Sequence, residues 1–263
     1  MSWRTWKSAL LAVCCLAAAS CRPAPPVVQP ARVVSGSMAP HYHGEHWEVV
    51  CANCGYKFDV GAELPPTRML AVCPNCGHAA NEIDEAKVSP GMAVDVHSRN
   101  FDSQPLKRWE VVAFHEPNSD HVAVKRVVGL PGDRIAIRDG DIYANGSLVR
   151  KTYEEFADLA QAIYHPSFHT ADQPNRWQGV EARSTWQPFV VDEIPSAFRS
   201  NRSDLASEST DWLEYRHMRG SAFAVTEEAS REIRDDYAYN QGIARSLNVV
   251  RDVLVSFLLT TND

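Results

Sequence analysis

Nowhere in this sequence is charge of one sign concentrated. Its 26 Lys and Arg and 33 Asp and Glu leave a formal charge of −7, spread without an acidic or basic block. It also has no lysine-arginine cluster interleaved with aromatics, which excludes nucleic acid as an expected partner. The N-terminal apolar run is too short for a full membrane span, since a helix needs about 20 apolar residues to cross a bilayer and "SALLAVCCLAAAS" ends at Ser20. Behind Arg4 and Lys7, and ahead of the proline-rich "CRPAPPVVQP", it reads as the apolar part of a secretory segment. The rest of the chain is then expected outside the cytoplasm. "AAASC" also has the form of the small-residue site before a lipid-modified cysteine, here Cys21, with Ala18 where a larger aliphatic is usual. A lipid anchor, a retained short anchor and plain secretion all stay open.

Cysteine is scarce in the body of the chain. Of seven, Cys14 and Cys15 lie inside the apolar run and Cys21 at its edge, which leaves Cys51, Cys54, Cys73 and Cys76 in "CANCGY" and "CPNCGH". A two-residue gap lets both thiolates of a tight turn face one ion, and the glycine that follows gives the turn its backbone freedom. Two such turns make a four-thiolate structural zinc site, stapling a ribbon over 48–82 and leaving no open position for chemistry. Two disulfides are the alternative on the oxidising side of a membrane.

The remaining pattern is of short strands. "SPGMAVDVHS", "KRWEVVAFHEP" ending at Pro117, and "HVAVKRVVGLPGDRIAIRDGDIYANGSLV" alternate apolar and polar residues, and Asp139-Gly140 and Asn145-Gly146 supply hairpin turns. The middle of the chain is expected to be antiparallel β. In "TYEEFADLAQAIY", Phe156, Leu159, Ala160 and Ile163 recur at helical spacing behind an acidic first turn, which predicts one amphipathic helix. From about Pro166 the chain reads as loops joining short strands. "NVVRDVLVSFLLTTND" at its end reads as a buried strand, pairing either with an earlier strand or with one in a longer protein of which this is a fragment.

"VVSGSMAP", residues 33–40, places two serines around a glycine, and a serine becomes a nucleophile only beside a base. Lys125, in the apolar "VAVKRVV", could serve as that base, because desolvation there would disfavour its charged form. His41, His43 and His46 crowd the segment after Pro40; they read either as solvated loop residues or as a second metal set.

"SGSMAP", "RWEVVAFHEP" and "KRVVGLPGD" follow one another in an order that resembles the signature boxes of the type I signal peptidases, the membrane-bound serine-lysine proteases that remove signal peptides. The ribbon insertion resembles planctomycete variants of that family, and the similarity covers roughly 31–150, with a looser likeness around "DWLEYRHM" and "DDYAYN". The resemblance implies a mainly β, antiparallel catalytic domain over 31–150, interrupted by the ribbon and followed over 151–263 by the helix and a partial β-rich region. Position by position it implies Ser37 as nucleophile, Lys125 as general base, and Ser35 with the Ser37 N–H as oxyanion hole. It further makes Arg126 a structural neighbour of the base, with Gly132 and Asp133 closing the motif. No cofactor takes part in the chemistry. The implied substrates are exported preproteins with small residues at the first and third positions before the cut, met at the extracytoplasmic membrane surface. Two family features are lacking: "HYHGEH" replaces the usual threonine and Leu-rich strand after Pro40, and the last box, a Gly-Asp-Asn run ending in Asp-Ser-Arg, is missing, "SNRSD" being too degenerate to count. A silent envelope protein that binds partners is therefore the competing reading. A self-cleaving repressor-type serine-lysine protease is a third, opposed by the export segment and the lack of a DNA-binding helix pair.

Overall fold

The computed structural model describes residues 27–99, 103–118, 120–170, 173, 175–180, 184–191, 194–200, 210–217 and 232–260. The expected anchor segment, with Cys21, lies outside the described residues. The described residues fall into two compact units, one of 27–31 with 94–99 and 103–105, the other of those within 32–93 and 106–260. In the first, β1 (Val28–Arg32) pairs with the strand at Ala93–His97, and the Val27 N–H donates to Ser98 Oγ at 2.8 Å.

The second unit begins with two small hairpins. β2 (His46–Val50) and β3 (Lys57–Gly61) pair antiparallel, with Val49 opposite Phe58; β4 (Leu70–Ala71) and β5 (Asn81–Glu82) form a shorter copy. Trp47, Val49, Phe58, Val60, Ala71 and Ile83 pack with Cys51 and Cys73 into one buried cluster. Apart from Val33, Pro66 and Tyr239, these are the buried apolar side chains among the described residues, so the main hydrophobic core lies in the ribbon.

With the Ala93–His97 strand counted as β6, β7 (Val111–His115) and β8 (Val122–Arg126) form an antiparallel hairpin in which Val112 faces Lys125. β9 (Ile135–Arg138), β10 (Asp141–Ala144) and β11 (Ser147–Leu148) make a meander. Its two turns place Asp139 and Gly140 at φ 51° and 86°, and Asn145 and Gly146 at 53° and 85°. Paired positive φ values are what a two-residue turn matching strand twist requires, and Asx-Gly provides them. The middle of the chain is antiparallel β, as the alternation and turn residues lead one to expect.

The expected helix is α1 (Tyr153–Leu159), opened by a capping box in which the Glu155 N–H donates to Thr152 Oγ1 and the Thr152 N–H to the Glu155 carboxylate. It is shorter than its periodicity suggests. Ala160 is already extended, Ile163 lies beyond the helix, and no helix residue is buried, so the apolar spacing finds no surface that would extend it. Further on, β12 (Trp177–Gly179) pairs with β15 (Leu213–Tyr215), and β13 (Trp186–Val191) with β14 (Ile194–Ser200). The C-terminal expectation fails: residues 250–260 form no strand, and Val253, Leu254, Val255, Phe257, Leu258 and Leu259 are exposed. An apolar run becomes a buried strand only where a neighbouring edge takes up its backbone groups, and here the backbone pairing among the described residues, the Arg234–Val249 bridge with the Val250 N–H donating to Ile233 O, stops at the segment's start.

Candidate active site and metal centre

Ser37 sits on a tight turn between Val33, whose N–H donates to Met92 O at 2.9 Å, and Ala39, whose N–H donates to Gly36 O at 3.1 Å. The turn is held from behind by close contacts that need glycine. A Cβ on Gly36 would come within 2.4 Å of the Tyr239 ring, and one on Gly44 within 2.8 Å of the Ser35 backbone. The Gly36 N–H also donates to Glu63 Oε2 at 3.2 Å. The hydroxyl of Ser37 is thereby left on the surface, where Lys125 Nζ donates to it at 2.6 Å and Ser35 Oγ at 3.4 Å. The structure thus brings together three residues drawn from positions 35, 37 and 125.

Lys125 itself departs from expectation, because it is exposed on β8 and not desolvated. Apolar strand neighbours bury a lysine only if a second layer covers its face, and none does here. What the hairpin supplies is position. After β8 the chain turns through Leu130-Pro131-Gly132-Asp133, with Gly132 at φ 89° and the Asp133 N–H donating to Leu130 O at 2.9 Å, a type II turn with Pro and Gly where that turn wants them. The Asp133 carboxylate closes the loop by accepting from the Leu130 N–H at 2.8 Å, Arg108 Nη2 at 2.8 Å and Asn145 Nδ2 at 3.1 Å. The Leu130 amide first, and then the Arg108 guanidinium, hold its carboxyl below the usual range. Arg126 Nη1 donates to Trp109 O at 2.7 Å, at a residue with φ 70°. The partner of Asp133 is therefore Arg108, which the sequence reading missed; a basic residue just before a strand carries no mark of which carboxylate it will meet.

The four cysteines converge. Their sulfurs lie within 4.8 Å of one another, with Cys51–Cys76 at 3.5 Å and Cys54–Cys73 at 3.7 Å, well beyond the ~2.05 Å of a disulfide, and all four are free. The two turns repeat one geometry. Gly55 and Gly77, at φ 73° and 80°, donate to Cys51 O and Cys73 O at 2.9 Å each, and the His78 N–H donates to Cys76 Sγ at 3.4 Å. Burial pushes the Cys54 thiol up to about 12, while the Cys73 hydrogen bond foremost holds Cys76 down to about 4. Four sulfur ligands are the donor set of a soft or borderline ion, whose binding expels their protons. Four sulfurs so placed could hold a metal ion.

Asn81 ties one turn to the other: its Oδ1 accepts from the Ala52 N–H, and its Nδ2 donates to His78 O and Ala71 O. From the C-terminal third, whose chemistry the sequence did not disclose, buried Arg176 donates to Asn75 O at 2.5 Å and lies over the Tyr164 ring, while Gln241 brackets Val72. Of the histidines, His41 Nε2 meets Asp158 O at 2.6 Å on α1, apart from the half-buried pair His43 and His46.

The family model "Signal peptidase, peptidase S26" matches residues 3–191. The chain belongs to the signal peptidase S26 family. Signal peptidase I of Bacillus caldolyticus is 40% identical over 63 residues, 24% of this chain and 34% of that protein. Signal peptidase I V of Bacillus subtilis (strain 168) is 33% identical over 75 residues, 28% of this chain and 42% of that protein. The chain thus spans about a third to two fifths of the length of these signal peptidases. No solved structure matches the chain significantly. Among the described residues no helix is long and apolar enough to cross a membrane.

Proposed function

We propose that this chain is a signal peptidase I-like serine endopeptidase that cleaves signal peptides from exported preproteins with a Ser37–Lys125 dyad. The single observation that carries the reading is the 2.6 Å contact between Lys125 Nζ and Ser37 Oγ, across 88 residues of sequence. Ser37 Oγ attacks the scissile carbonyl carbon and passes its proton to the amine of Lys125. The Ser35 hydroxyl and the Ser37 N–H face the developing oxyanion. Lys125 then protonates the leaving amine, and water, deprotonated by the same lysine, attacks the ester and frees Ser37. Because both groups are exposed, a bound preprotein lying over them supplies the cover that excludes water from the pair.

The cysteine quartet, in this reading, holds one structural zinc that fixes the 48–82 ribbon within a 31–150 catalytic domain, and Arg176 and Gln241 brace that ribbon. Zinc does no chemistry there, since four sulfurs fill its coordination. Arg126 and Asp133 fix the strand and turn that carry the lysine. Family membership supports a site at the extracytoplasmic membrane surface, reached by the N-terminal segment as anchor or through lipidated Cys21, with substrates bearing small residues before the cut. The test is cleavage of a preprotein peptide by this chain and by Ser37→Ala. Loss of cleavage in the variant is expected; equal rates would remove the catalytic reading and favour the silent binding module.

A further inference from the structure

Three side chains that the proteolytic reading leaves unused stand together behind the nucleophile turn. We infer that His43, His46 and Asp59 form a second metal site, for a borderline divalent transition ion, separate from the cysteine quartet. Their ligand atoms lie within 4.8 Å of one another. His43 Nδ1 is 3.0 Å from Asp59 Oδ2, and His46 Nδ1 is 2.9 Å from Gly44 O. Both partner oxygens accept, so in the neutral rings each Nδ1 carries the proton and each Nε2 presents a lone pair. A carboxylate on one ring and a backbone carbonyl on the other are the outer partners that fix metal-binding histidines.

The second observation is an orphan. His43 Nε2 is buried and has no hydrogen-bond partner, which folded interiors rarely tolerate without an ion or water to meet the atom. The two rings meet edge to face at 5.1 Å, and Tyr239 walls them at 5.3 and 6.3 Å. His43 and Asp59 line an open cleft, which gives an ion a way in. Two imidazole nitrogens, with Asp59 holding the far side of one ring, suit zinc, cobalt or nickel better than magnesium or calcium. His43 and His46 flank Gly44, which presses on the Ser35 backbone, and Asp59 lies on β3. An ion here ties the segment behind the nucleophile turn to the ribbon. It is a positioning device, and no step of the cleavage passes through it.

Cobalt(II) separates the two sites, because four-thiolate coordination gives intense sulfur charge-transfer bands and a site of histidine nitrogens gives only weak visible bands. The full chain, stripped of metal and titrated with cobalt, is expected to bind two equivalents, one with thiolate bands and one without. In His43→Ala/His46→Ala the non-thiolate equivalent should weaken by more than about 100-fold, with the thiolate bands unchanged as the control for folding. Saturation of the wild type at one equivalent with thiolate bands only would overturn the site, as would two equivalents retained in the double variant. If the variant loses its thiolate bands through misfolding, the wild-type titration decides alone. Non-thiolate bands in a chain that shows no thiolate bands would support this site and count against the zinc ribbon.

Discussion

The β2–β3 and β7–β8 hairpins are the same construction, two antiparallel five-residue strands, yet they differ in how they are covered. In β2–β3 the apolar positions Trp47, Val49, Phe58 and Val60 are all buried; in β7–β8 no residue is, and Phe114 and Val122 are exposed. The first hairpin closes on a second one across four sulfurs. The second leaves Lys125 open beside Ser37. The difference teaches that burial and open surface are housed apart: the ribbon buries apolar area and could take an ion, while the β7–β8 hairpin keeps exposed the face on which Lys125 meets Ser37, which in the proposed function an incoming peptide covers.

The largest expected effect falls on the ribbon. Structural zinc contributes about 10–16 kcal/mol to small four-ligand domains, so a strong chelator, or Cys73→Ser, should abolish slow amide exchange at Val49 and Val60. Protection that survives metal removal would break the contrast, because the ribbon would then be held by its apolar cluster alone. Next comes the dyad. Ser37→Ala and Lys125→Ala should each lower kcat/KM by about 10⁴-fold or more while shifting unfolding free energy by less than about 0.5 kcal/mol, as exposed positions do. Lys125→Arg should not rescue, since a guanidinium stays protonated. A large loss of stability in these variants would mean that the pair also supports the fold.

Much of this was legible because the signals are local. Asp139-Gly140 and Asn145-Gly146 dictate their own turns, and each Cys-x2-Cys-Gly sets its own loop. The motif order pointed to Ser37 and Lys125 as partners. What escaped depends on distant contacts or on cover. Tyr239 reaches Glu45 across 194 residues and Arg176 reaches Asn75 across 101, and nothing in either residue's neighbours announces the partner. The exposure of Lys125, the early stop of α1 and the open segment at 250–260 have one cause. An apolar pattern states what a segment could bury, not whether a surface exists to receive it. The histidines show the same limit: their crowding after Pro40 does not distinguish His41, which meets Asp158 O, from His43, which folds against His46 and Asp59.

Tyr239 joins the ribbon to the turn that carries Ser37 and so tests whether the two are independent. Its ring lies where a Cβ on Gly36 or on Gly61 would stand, at 2.4 and 2.5 Å, and its hydroxyl donates to Glu45 O at 3.1 Å. Tyr239→Ala is expected to cost about 3–4 kcal/mol, the range for emptying a buried aromatic site, and to lower kcat/KM about tenfold or more by loosening the turn that presents Ser37. Tyr239→Phe should retain most of both. Loss of stability with kcat/KM unchanged would show that the nucleophile turn holds its shape without the ribbon side.

The smallest effect is expected at the turn behind Lys125. Asp133 has its carboxyl held below the usual range by the Leu130 amide and then by Arg108. A group whose folded value is depressed stabilises the fold fully above its unfolded value, about 3.9 for aspartate, and that contribution fades as pH falls through the lower folded value. The stabilisation is therefore present at neutral pH and lost in acid below about pH 4. Asp133→Asn keeps the shape of the side chain but cannot carry the charge that Leu130 and Arg108 hold. Its thermal midpoint should fall slightly below wild type at neutral pH, and the two should converge in acid. The ribbon core, which this turn does not touch, should keep its amide protection in the variant, while exchange at Leu130 and Asp133 quickens. Parallel pH profiles for the two proteins would remove Asp133 as the charge that fastens the Lys125 strand, leaving the Pro131-Gly132 backbone to set the turn by itself.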